Sequence, residues 1–276
     1  MIQYMRLVKP AQARAVEAAC NGMRPSPTNP NFGDMLTTVS AANFTLQNEK
    51  GESVSLNSFQ GKIVVVNFWA SWCAVCRSEK PSLEKLQDEY GTDNVVVLAL
   101  ASDRDWAPVK RAMLGFEVVT ADEVLRKPEI YGVRDPSQLP AKGQQVVVSR
   151  IDRGRAAAGS GLGRLDHITS INGTPIGSLE DLDSALRASP PTIKIGVTRK
   201  SGSKTISLSH KDEFQVLLDP PDDDGNLGAV AKAYGITAVP ESFVVDRKGL
   251  IRHYFINKRS WDGDIASTCL QAIVDG

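Results

Sequence analysis

Two cysteines with two residues between them, Cys73 and Cys76, directly follow an apolar run at 63–71. The run has the length and β-branched composition of a buried parallel strand, and Leu83 and Leu86 continue the chain at helical spacing. Cys73 is therefore expected at the N-terminus of a helix, where unpaired backbone N–H groups and the helix dipole stabilise a thiolate. Cys76 can then turn back onto Cys73 and resolve a mixed disulfide, so the pair predicts thiol–disulfide exchange.

Two other interpretations of the cysteine pair are open at this point. Half of a zinc site would need further ligands, but the chain has no second Cys-x-x-Cys, and His167, His210 and His253 show no ligand spacing. A purely structural disulfide is the other alternative. The strand and helix around the pair favour redox chemistry, with the cysteines as the redox group and with no bound cofactor and no metal expected.

The composition indicates a globular protein without a nucleic-acid partner. The chain has 276 residues, 42% of them hydrophobic, which is enough for two domains with a core each. Lys and Arg number 32, as do Asp and Glu, so no net charge attracts nucleic acid or an anionic membrane. The other cysteines, Cys20 and Cys269, are far apart in sequence, and Cys269 is expected to be a buried, inert thiol in a C-terminal helix over 265–273.

Residues 1–36 are predicted to form a tail and a linker. Residues 1–20 carry charges and lack the apolar core of a signal peptide, and they predict no transmembrane span. Ala18-Ala19-Cys20 and the polar segment after it resemble the lipidated cysteine and tether of a bacterial lipoprotein. The alternative is a short solvent-facing helix or a frayed tail, followed by a Pro- and Asn-rich linker over 21–36.

The strand and helix pattern around the cysteines breaks off near residue 110 and resumes at 212. The elements on either side are a hairpin over 43–56, a strand at 95–100, a helix from Asp105, a strand at 214–219, a helix ending at Gly235 and a strand opened by Pro240. Together, 37–110 and 212–276 have the size of one domain. They are interpreted as a single domain interrupted by a second one at 111–211.

Two sequence motifs indicate which fold this interrupted domain has. They are Asn67-Phe68-Trp69-Ala70-Ser71-Trp72-Cys73-x-x-Cys76-Arg77-x-Glu79-x-Pro81 and Tyr234-Gly235-Ile236-Thr237-Ala238-Val239-Pro240-Glu241-Ser242-Phe243. They resemble the thioredoxin fold and, within it, the TlpA/ResA/CcmG branch of membrane-facing bacterial thiol reductases. The resemblance implies that the Val239–Pro240 bond is cis, that it abuts the cysteine pair, and that the Val239 backbone meets an incoming peptide. Trp69 is expected in the core and Trp72 at a partly exposed rim beside Cys73.

Three polar side chains around these motifs are candidates for a role in the chemistry. Thioredoxins have a buried Asp where this chain has Asn67, which cannot exchange a proton. Glu79 lies one helical turn beyond Cys76, and partial burial would raise its pKa and suit it to take the Cys76 proton. A solvated glutamate in the first helical turn is the alternative. Glu241 is a second candidate, with an exposed strand-end glutamate as its alternative.

The inserted segment has a distinct order of elements. They are a short helix at 121–127, a strand at 145–151, a strand that ends in an Asn172-Gly173 hairpin turn, a capped helix at 178–187 and a hairpin over 193–208. With Leu114-Gly115-Phe116 and Gly163-Arg164-Leu165-Asp166-x-Ile168-x-x-Ile171-Asn172-Gly173, this order resembles a PDZ domain of the bacterial type.

PDZ domains bind an extended peptide as an added strand. The resemblance implies that backbone N–H groups of Leu114, Gly115 and Phe116 hold the terminal carboxylate of the peptide. It also implies that Leu179, Leu182 and Leu186 line the groove. Packing of the helix onto the sheet is the alternative role for these leucines.

The predicted fold class is α/β: a thioredoxin fold, with a central mixed sheet flanked by helices, interrupted by a mainly-β PDZ domain. The predicted function is that of a thiol–disulfide oxidoreductase of the bacterial cell envelope or periplasm, in which Cys73 attacks, Cys76 resolves and Glu79 assists. Membrane anchoring and a cytoplasmic location both stay open. Expected partners are client proteins with disulfides, an upstream thiol reductant and peptide C-termini at the PDZ groove, and the resemblance suggests cytochrome c maturation.

Two alternative functions remain at this point. The first is a PDZ adaptor that binds peptides and uses a redox-inactive thioredoxin fold as a scaffold. The second is a cytosolic thioredoxin-like reductase.

Overall fold

One unit interrupts another in the computed structural model of this chain. The first unit is Met1–Arg104 with Glu213–Gly276, and the second is Asp105–Asp212. The structure describes residues 39–136, 139, 141–210, 214–223, 225–263, 269–271, 273 and 274. The predictions for the 1–36 tail and Cys20, and most of the predicted 265–273 helix, therefore lie outside the described residues.

The described elements follow the predicted alternation along the chain. The strands are β1 (Thr45–Asn48), β2 (Ser53–Ser55), β3 (Ile63–Trp69), β4 (Val95–Ala101), β5 (Phe116–Thr120), β6 (Val146–Ile151), β7 (His167–Ile171), β8 (Thr174–Pro175), β9 (Thr192–Arg199), β10 (Gly202–Ser209), β11 (Gln215–Leu218), β12 (Glu241–Val245) and β13 (Ile251–Ile256). The helices are α1 (Ala74–Tyr90), α2 (Trp106–Leu114), α3 (Ala121–Arg126), α4 (Leu179–Arg187) and α5 (Ala229–Ala233), and a 3-10 turn covers Leu56–Phe59. Strand β13 has no predicted counterpart, because Arg252 and His253 interrupt its apolar pattern.

The first unit contains a mixed sheet, as predicted. Among the described residues its order is β13-β12-β3-β4-β11-β1-β2. Strands β3, β4 and β11 are parallel, whereas β12 pairs with β3 antiparallel. This arrangement joins the two halves of the interrupted domain, since β11 and β12 come from the segment after the insertion and pair directly with strands from before it.

Strand β3 has an apolar core on each side. Val64, Val66 and Phe68 pack in one cluster, and Ile63 and Val65 pack in another. Because side chains alternate along a strand, a strand with both faces covered must be apolar throughout. The exception is Asn67, which is fully buried on the face that α1 covers.

The second unit contains a sheet in the order β10-β9-β7-β6-β5 among the described residues, with β8 paired to β7. The predicted hairpin turn is present, with Asn172 and Gly173 at φ 49° and 86°. The predicted cap of α4 is also present, because the Ser178 side chain accepts a hydrogen bond from the Asp181 N–H at 3.2 Å. Buried residues of the strands and of α4 form one continuous apolar cluster.

The second unit starts at Asp105, the N-cap of helix α2, and not at residue 111 as the sequence pattern predicted. The Asp105 side chain caps α2 by accepting from the Ala107 N–H at 2.8 Å, and it also accepts from Arg187 of α4 at 3.0 Å. Further along α2, Arg111 pairs with Asp183 of α4. These side-chain contacts attach α2 to the inserted unit, and no local sequence pattern predicts them.

Candidate redox site

The cysteine pair lies at the start of α1, where the sequence predicted it. Cys73 is the N-cap of the 17-residue helix, and its Sγ accepts a hydrogen bond from the Cys76 N–H at 3.1 Å. The two cysteines are joined in a disulfide. Cys73 keeps 9% of its surface exposed and Cys76 keeps 1%, so Cys73 is the sulfur that a client can reach.

The loop before β12 meets this pair. The Val239–Pro240 peptide bond is cis, and the Cys73 Sγ lies 3.7 Å from the Val239 carbonyl oxygen. The cis bond and its contact with the cysteine pair, both implied by the family resemblance, are therefore confirmed. The contact of the Val239 backbone with a peptide stays a prediction. The Pro240 carbonyl oxygen accepts from the Asn257 N–H at 2.9 Å, which ties this loop to the end of β13.

Two apolar side chains are exposed beside Cys73. Trp72 is 58% exposed and Val75 is 50% exposed, whereas Trp69 is buried in the core. The predicted roles of the two tryptophans as rim and core residues are confirmed. Exposed large apolar groups at a reactive cysteine offer a contact surface to a client polypeptide.

The loop before Cys73 is held by contacts that were not predicted from the sequence. The Ser71 N–H and hydroxyl both donate to the Asp103 carboxylate, and Arg77 donates to the Ser71 carbonyl oxygen. A signal existed, because β3 and β4 are parallel and end in register, with Trp69 opposite Ala101. The residues just beyond those two ends had to meet at the same edge of the sheet.

Glu79 is a buried carboxylate, not a solvated one. It is 1% exposed, and its Oε1 accepts from the Trp261 indole N–H at 2.7 Å and from the Arg259 backbone N–H at 3.0 Å. Its Oε2 accepts from the Asn67 amide at 3.4 Å. Burial raises the pKa of Glu79 above its ordinary value, and these hydrogen bonds and the nearby Lys80 ammonium oppose that rise. The predicted burial of Glu79 is confirmed, and the alternative of a solvated glutamate is wrong.

Asn67 connects Glu79 to a further strand. Its Nδ2 also donates to Ser242 of β12 at 2.9 Å, and its Oδ1 accepts from the Lys80 ammonium at 3.1 Å. Trp261, Ser242 and Lys80 were not predicted to contribute. Lys80 carried a sequence signal because it follows Glu79 directly, and Ser242 carried one because it lies in the second family motif. Trp261 comes from a distant part of the chain and carried none.

Glu241 lies on the other face of the sheet from Glu79. Residues 241 and 243 point to one face of β12 and Ser242 to the opposite face, because side chains alternate along a strand. The Glu241 carboxylate is buried and accepts from the Tyr254 hydroxyl, and burial raises its pKa. The alternative of an exposed strand-end glutamate is therefore wrong, and the two glutamates form separate sites.

The predicted carboxylate loop of the second unit has a different structure from the one expected. Leu114 is the last residue of α2, and the Gly115 N–H donates to the Arg111 carbonyl oxygen at 2.8 Å. Leu114 and Phe116 are both fully buried side chains. The prediction that Leu114, Gly115 and Phe116 form a loop whose N–H groups hold a carboxylate is corrected for the first two residues. Leu114 belongs to α2, and the Gly115 N–H is already hydrogen-bonded to the end of that helix.

The N–H group of Phe116 has a different orientation. The Asp152 N–H donates to the Gly115 carbonyl oxygen at 2.9 Å, and Phe116 stands opposite Ile151. This pattern makes Phe116 and Ile151 a non-hydrogen-bonded antiparallel pair, so the Phe116 N–H and C=O point away from β6. They point toward the outer edge of β5, the last strand of the described sheet.

Of the three leucines of α4, only Leu179 keeps some exposure. Leu182 and Leu186 have no exposed surface and belong to the core of the unit. The predicted ligand contact of Leu182 is therefore replaced by a packing role. Leu179 and, on β5, Val118 are partly buried residues at the margin of this core.

Two further observations concern the chain outside these sites. Cys269 is fully buried and is disulfide-bonded, which corrects the prediction of an inert thiol. Among the described residues, no helix combines the length and the apolar character that a membrane span requires.

Comparison with known proteins agrees with the two units. Residues 38–141 match the AhpC/TSA family, and residues 112–209 match the PDZ domain. The first match runs past Arg104 into the second unit, where the structure assigns residues from Asp105 onward to the PDZ-type unit.

Two curated relatives are similar to part of the chain. The thiol-disulfide oxidoreductase ResA of Halalkalibacterium halodurans is 36% identical over 98 residues, which are 34% of this chain and 55% of ResA. The thioredoxin-like protein YneN of Bacillus subtilis is 48% identical over 60 residues, which are 22% of this chain and 35% of YneN. The chain thus spans about half or less of the length of these relatives.

The solved structure of a thiol-disulfide oxidoreductase from Bacteroides fragilis is 16% identical in sequence to this chain. The match covers 85% of this chain and 98% of the other chain, with a TM-score of 0.41. A similarity of this size supports no inference about function.

Proposed function

Since this chain joins a thioredoxin-like domain of the AhpC/TSA family to an inserted PDZ domain, we propose that it is a thiol–disulfide oxidoreductase that reduces disulfides of client proteins. The observation that carries the proposal is the position of Cys73. Its Sγ stands at the N-terminus of α1, accepts the Cys76 N–H at 3.1 Å and is the more exposed sulfur of the pair. These features stabilise a thiolate there and make it the attacking group.

The reaction takes place in two exchange steps. In the dithiol form, the Cys73 thiolate attacks a client disulfide, so that a Cys73–client disulfide forms and the other client sulfur leaves as a thiolate. Cys76 then loses its proton and attacks Cys73 Sγ, which releases the second client sulfur. The client disulfide is reduced by two electrons, and Cys73 and Cys76 are oxidised to the disulfide. An upstream thiol reductant restores the dithiol.

Glu79 accepts the proton of Cys76 in the second step. The carboxylate lies one helical turn beyond Cys76 and is almost fully buried, and burial raises its pKa toward the range in which proton exchange with a thiol is effective. The cis Val239–Pro240 loop and the exposed Trp72 both lie beside Cys73 and contact the client chain.

The PDZ-type unit recruits the client as an extended strand. The outer edge of β5 supports this role, because the Phe116 N–H and C=O point away from β6 there. Leu179→Glu should weaken client capture, while Ser184→Glu, on the exposed side of the same helix, should not. Equal capture by both variants would remove the recruiting role. Gly115 is unsuitable for such a test, because a Cβ at this residue would lie 2.1 Å from the Arg155 Cβ.

The reductase function is tested by turnover and by trapping. Cys73→Ser should abolish reduction of a protein disulfide, and a Cys73→Ser variant that still turns over would contradict the mechanism. Cys76→Ser should accumulate mixed disulfides on Cys73 in cells. Apocytochromes c among the trapped clients would support a role in cytochrome c maturation, which we propose together with a location in the cell envelope.

The competing function is a PDZ adaptor with a redox-inactive first unit. Titration of the Cys73 thiol in the reduced protein distinguishes the two. A pKa near that of a free cysteine, about 8.5, together with no exchange with small disulfides, would favour the adaptor.

A further inference from the structure

Lys80 is a buried lysine beside the redox site. It follows Glu79 on α1 and is 3% exposed. Lysine is almost never fully buried unless its ammonium group has partners. Here the Nζ donates to Asn67 Oδ1 at 3.1 Å and lies 3.9 Å from the centroid of the Trp69 ring. Both of these partners belong to β3, directly before the cysteine loop.

The contact with Lys80 decides which way the Asn67 amide faces. An asparagine side chain presents an oxygen acceptor on one side and an NH2 donor on the other, and the two orientations are related by a half-turn. A lysine ammonium can only donate, so the oxygen must face Lys80. The NH2 group then faces Glu79 Oε2 at 3.4 Å and Ser242 Oγ at 2.9 Å.

We propose that Lys80 is a positioning residue for Glu79, acting through the orientation of the Asn67 amide. This inference rests on the proposed reductase function, in which Glu79 takes the Cys76 proton. With Lys80 in place, the ionised Glu79 carboxylate meets an amide donor. Without it, the amide can turn and present its oxygen to Glu79, an arrangement that favours the protonated carboxyl group instead.

Other charged or titratable groups lie on the elements that contribute contacts to Glu79. On α1 these are Lys80 and Cys76. The segment after β13 contributes Arg259, whose backbone N–H donates to Glu79, and Asp262, which pairs with Lys85 at 2.7 Å. From β12, the neutral Ser242 faces Asn67, while Glu241 lies on the opposite face. Lys80 is the group among these whose charge also acts directly on Glu79.

The test separates the two exchange steps with an aromatic disulfide, 5,5′-dithiobis(2-nitrobenzoate), as the probe. Attack by Cys73 releases one coloured thiolate and resolution by Cys76 releases the second, so stopped-flow absorbance follows each step. Lys80→Met removes the charge and the donor. At mildly acidic pH it should slow the second release about three-fold or more and move its pH profile upward, with the first release unchanged.

Three comparisons make the result specific. Lys85→Met removes an exposed lysine of the same helix and should change neither step. In a Glu79→Gln background, Lys80→Met should cause no further change of the second step. Lys80→Gln keeps a hydrogen-bond donor but no charge, and it replaces Lys80→Met as the test variant if Lys80→Met does not fold. It should move the pH profile of the second release in the same direction as Lys80→Met, but by less.

Several results would overturn the role of Lys80. They are an unshifted profile, an equal slowing of both releases, or a shift that persists without Glu79. If the wild-type protein releases neither thiolate, the proposed reductase function itself has failed. A carbon NMR titration of the Glu79 carboxyl group still decides the inference in that case. Glu79 should hold its proton to higher pH in Lys80→Met than in Lys80→Gln, because both variants lack the charge and only the glutamine keeps a donor for Asn67; equal values in the two variants would overturn the role of the amide.

Discussion

Replacing Glu79 by alanine should destabilise the first unit more than replacing it by glutamine. The Glu79 carboxylate accepts the Trp261 indole N–H at 2.7 Å, the Arg259 N–H at 3.0 Å and the Asn67 amide at 3.4 Å. Trp261 and Asn67 are fully buried, so alanine would leave their N–H groups without this acceptor. A buried donor that loses its partner costs about 1–3 kcal/mol, which gives a loss of about 2–6 kcal/mol for the two.

Glutamine at this position keeps one carbonyl oxygen. That oxygen can accept the N–H groups of Trp261 and Arg259, while the new NH2 group faces the NH2 group of Asn67. Because Lys80 holds the Asn67 amide in this orientation, only the longest of the three hydrogen bonds is lost. The expected cost is about 1–2 kcal/mol in the free energy of unfolding.

Urea unfolding of the oxidised protein, followed by tryptophan fluorescence and circular dichroism, measures both variants. Substitutions of Glu89, an exposed residue of the same helix, serve as controls and should differ little from the wild type. If the alanine and glutamine variants at Glu79 agree within about 0.5 kcal/mol, the three hydrogen bonds contribute little and the reasoning is refuted.

Three further predictions concern pH, the second core and the end of α2. The pKa of Glu79 is raised above 4.5, so the folded state keeps this proton at pH values where the unfolded chain has lost it. As pH rises from about 4.5 to the folded-state pKa, the wild type should therefore lose free energy of unfolding relative to Glu79→Gln. The loss should be at most about 1.4 kcal/mol per pH unit, and unfolding of both proteins at a series of pH values measures it. Leu182→Ala should cost about 2–5 kcal/mol in the unfolding of the second unit, and Leu179→Ala clearly less; similar losses would contradict the packing role. Gly115→Ala should lower the melting temperature of the second unit, because φ is 87° and the added Cβ would meet Arg155; unchanged melting would contradict this.

Much of the fold could be predicted from residues close together in the sequence. The start of α1 at Cys73, the Asn172-Gly173 turn and the Ser178 cap each depend on a pattern of two to four residues, and the structure contains all three. The prediction failed at the end of α2, where Gly115 is the left-handed C-cap of the helix and its N–H group is hydrogen-bonded to Arg111. The glycine was a local stop signal, but it was interpreted as part of a carboxylate loop.

In the candidate site, too, some features follow from local sequence and others from contacts between distant residues. Local sequence was sufficient to predict the redox pair, its place at a helix N-terminus and the position of Glu79 one turn later, because all of these lie within one helix and the strand before it. The surroundings of Glu79 depend on packing between distant segments. Its carboxylate is bonded to Trp261, 182 residues away in sequence, and Asn67 is bonded to Ser242, 175 residues away. Local propensities cannot encode such pairings, since they form only when β12 docks antiparallel against β3 and brings the second half of the interrupted domain against the first.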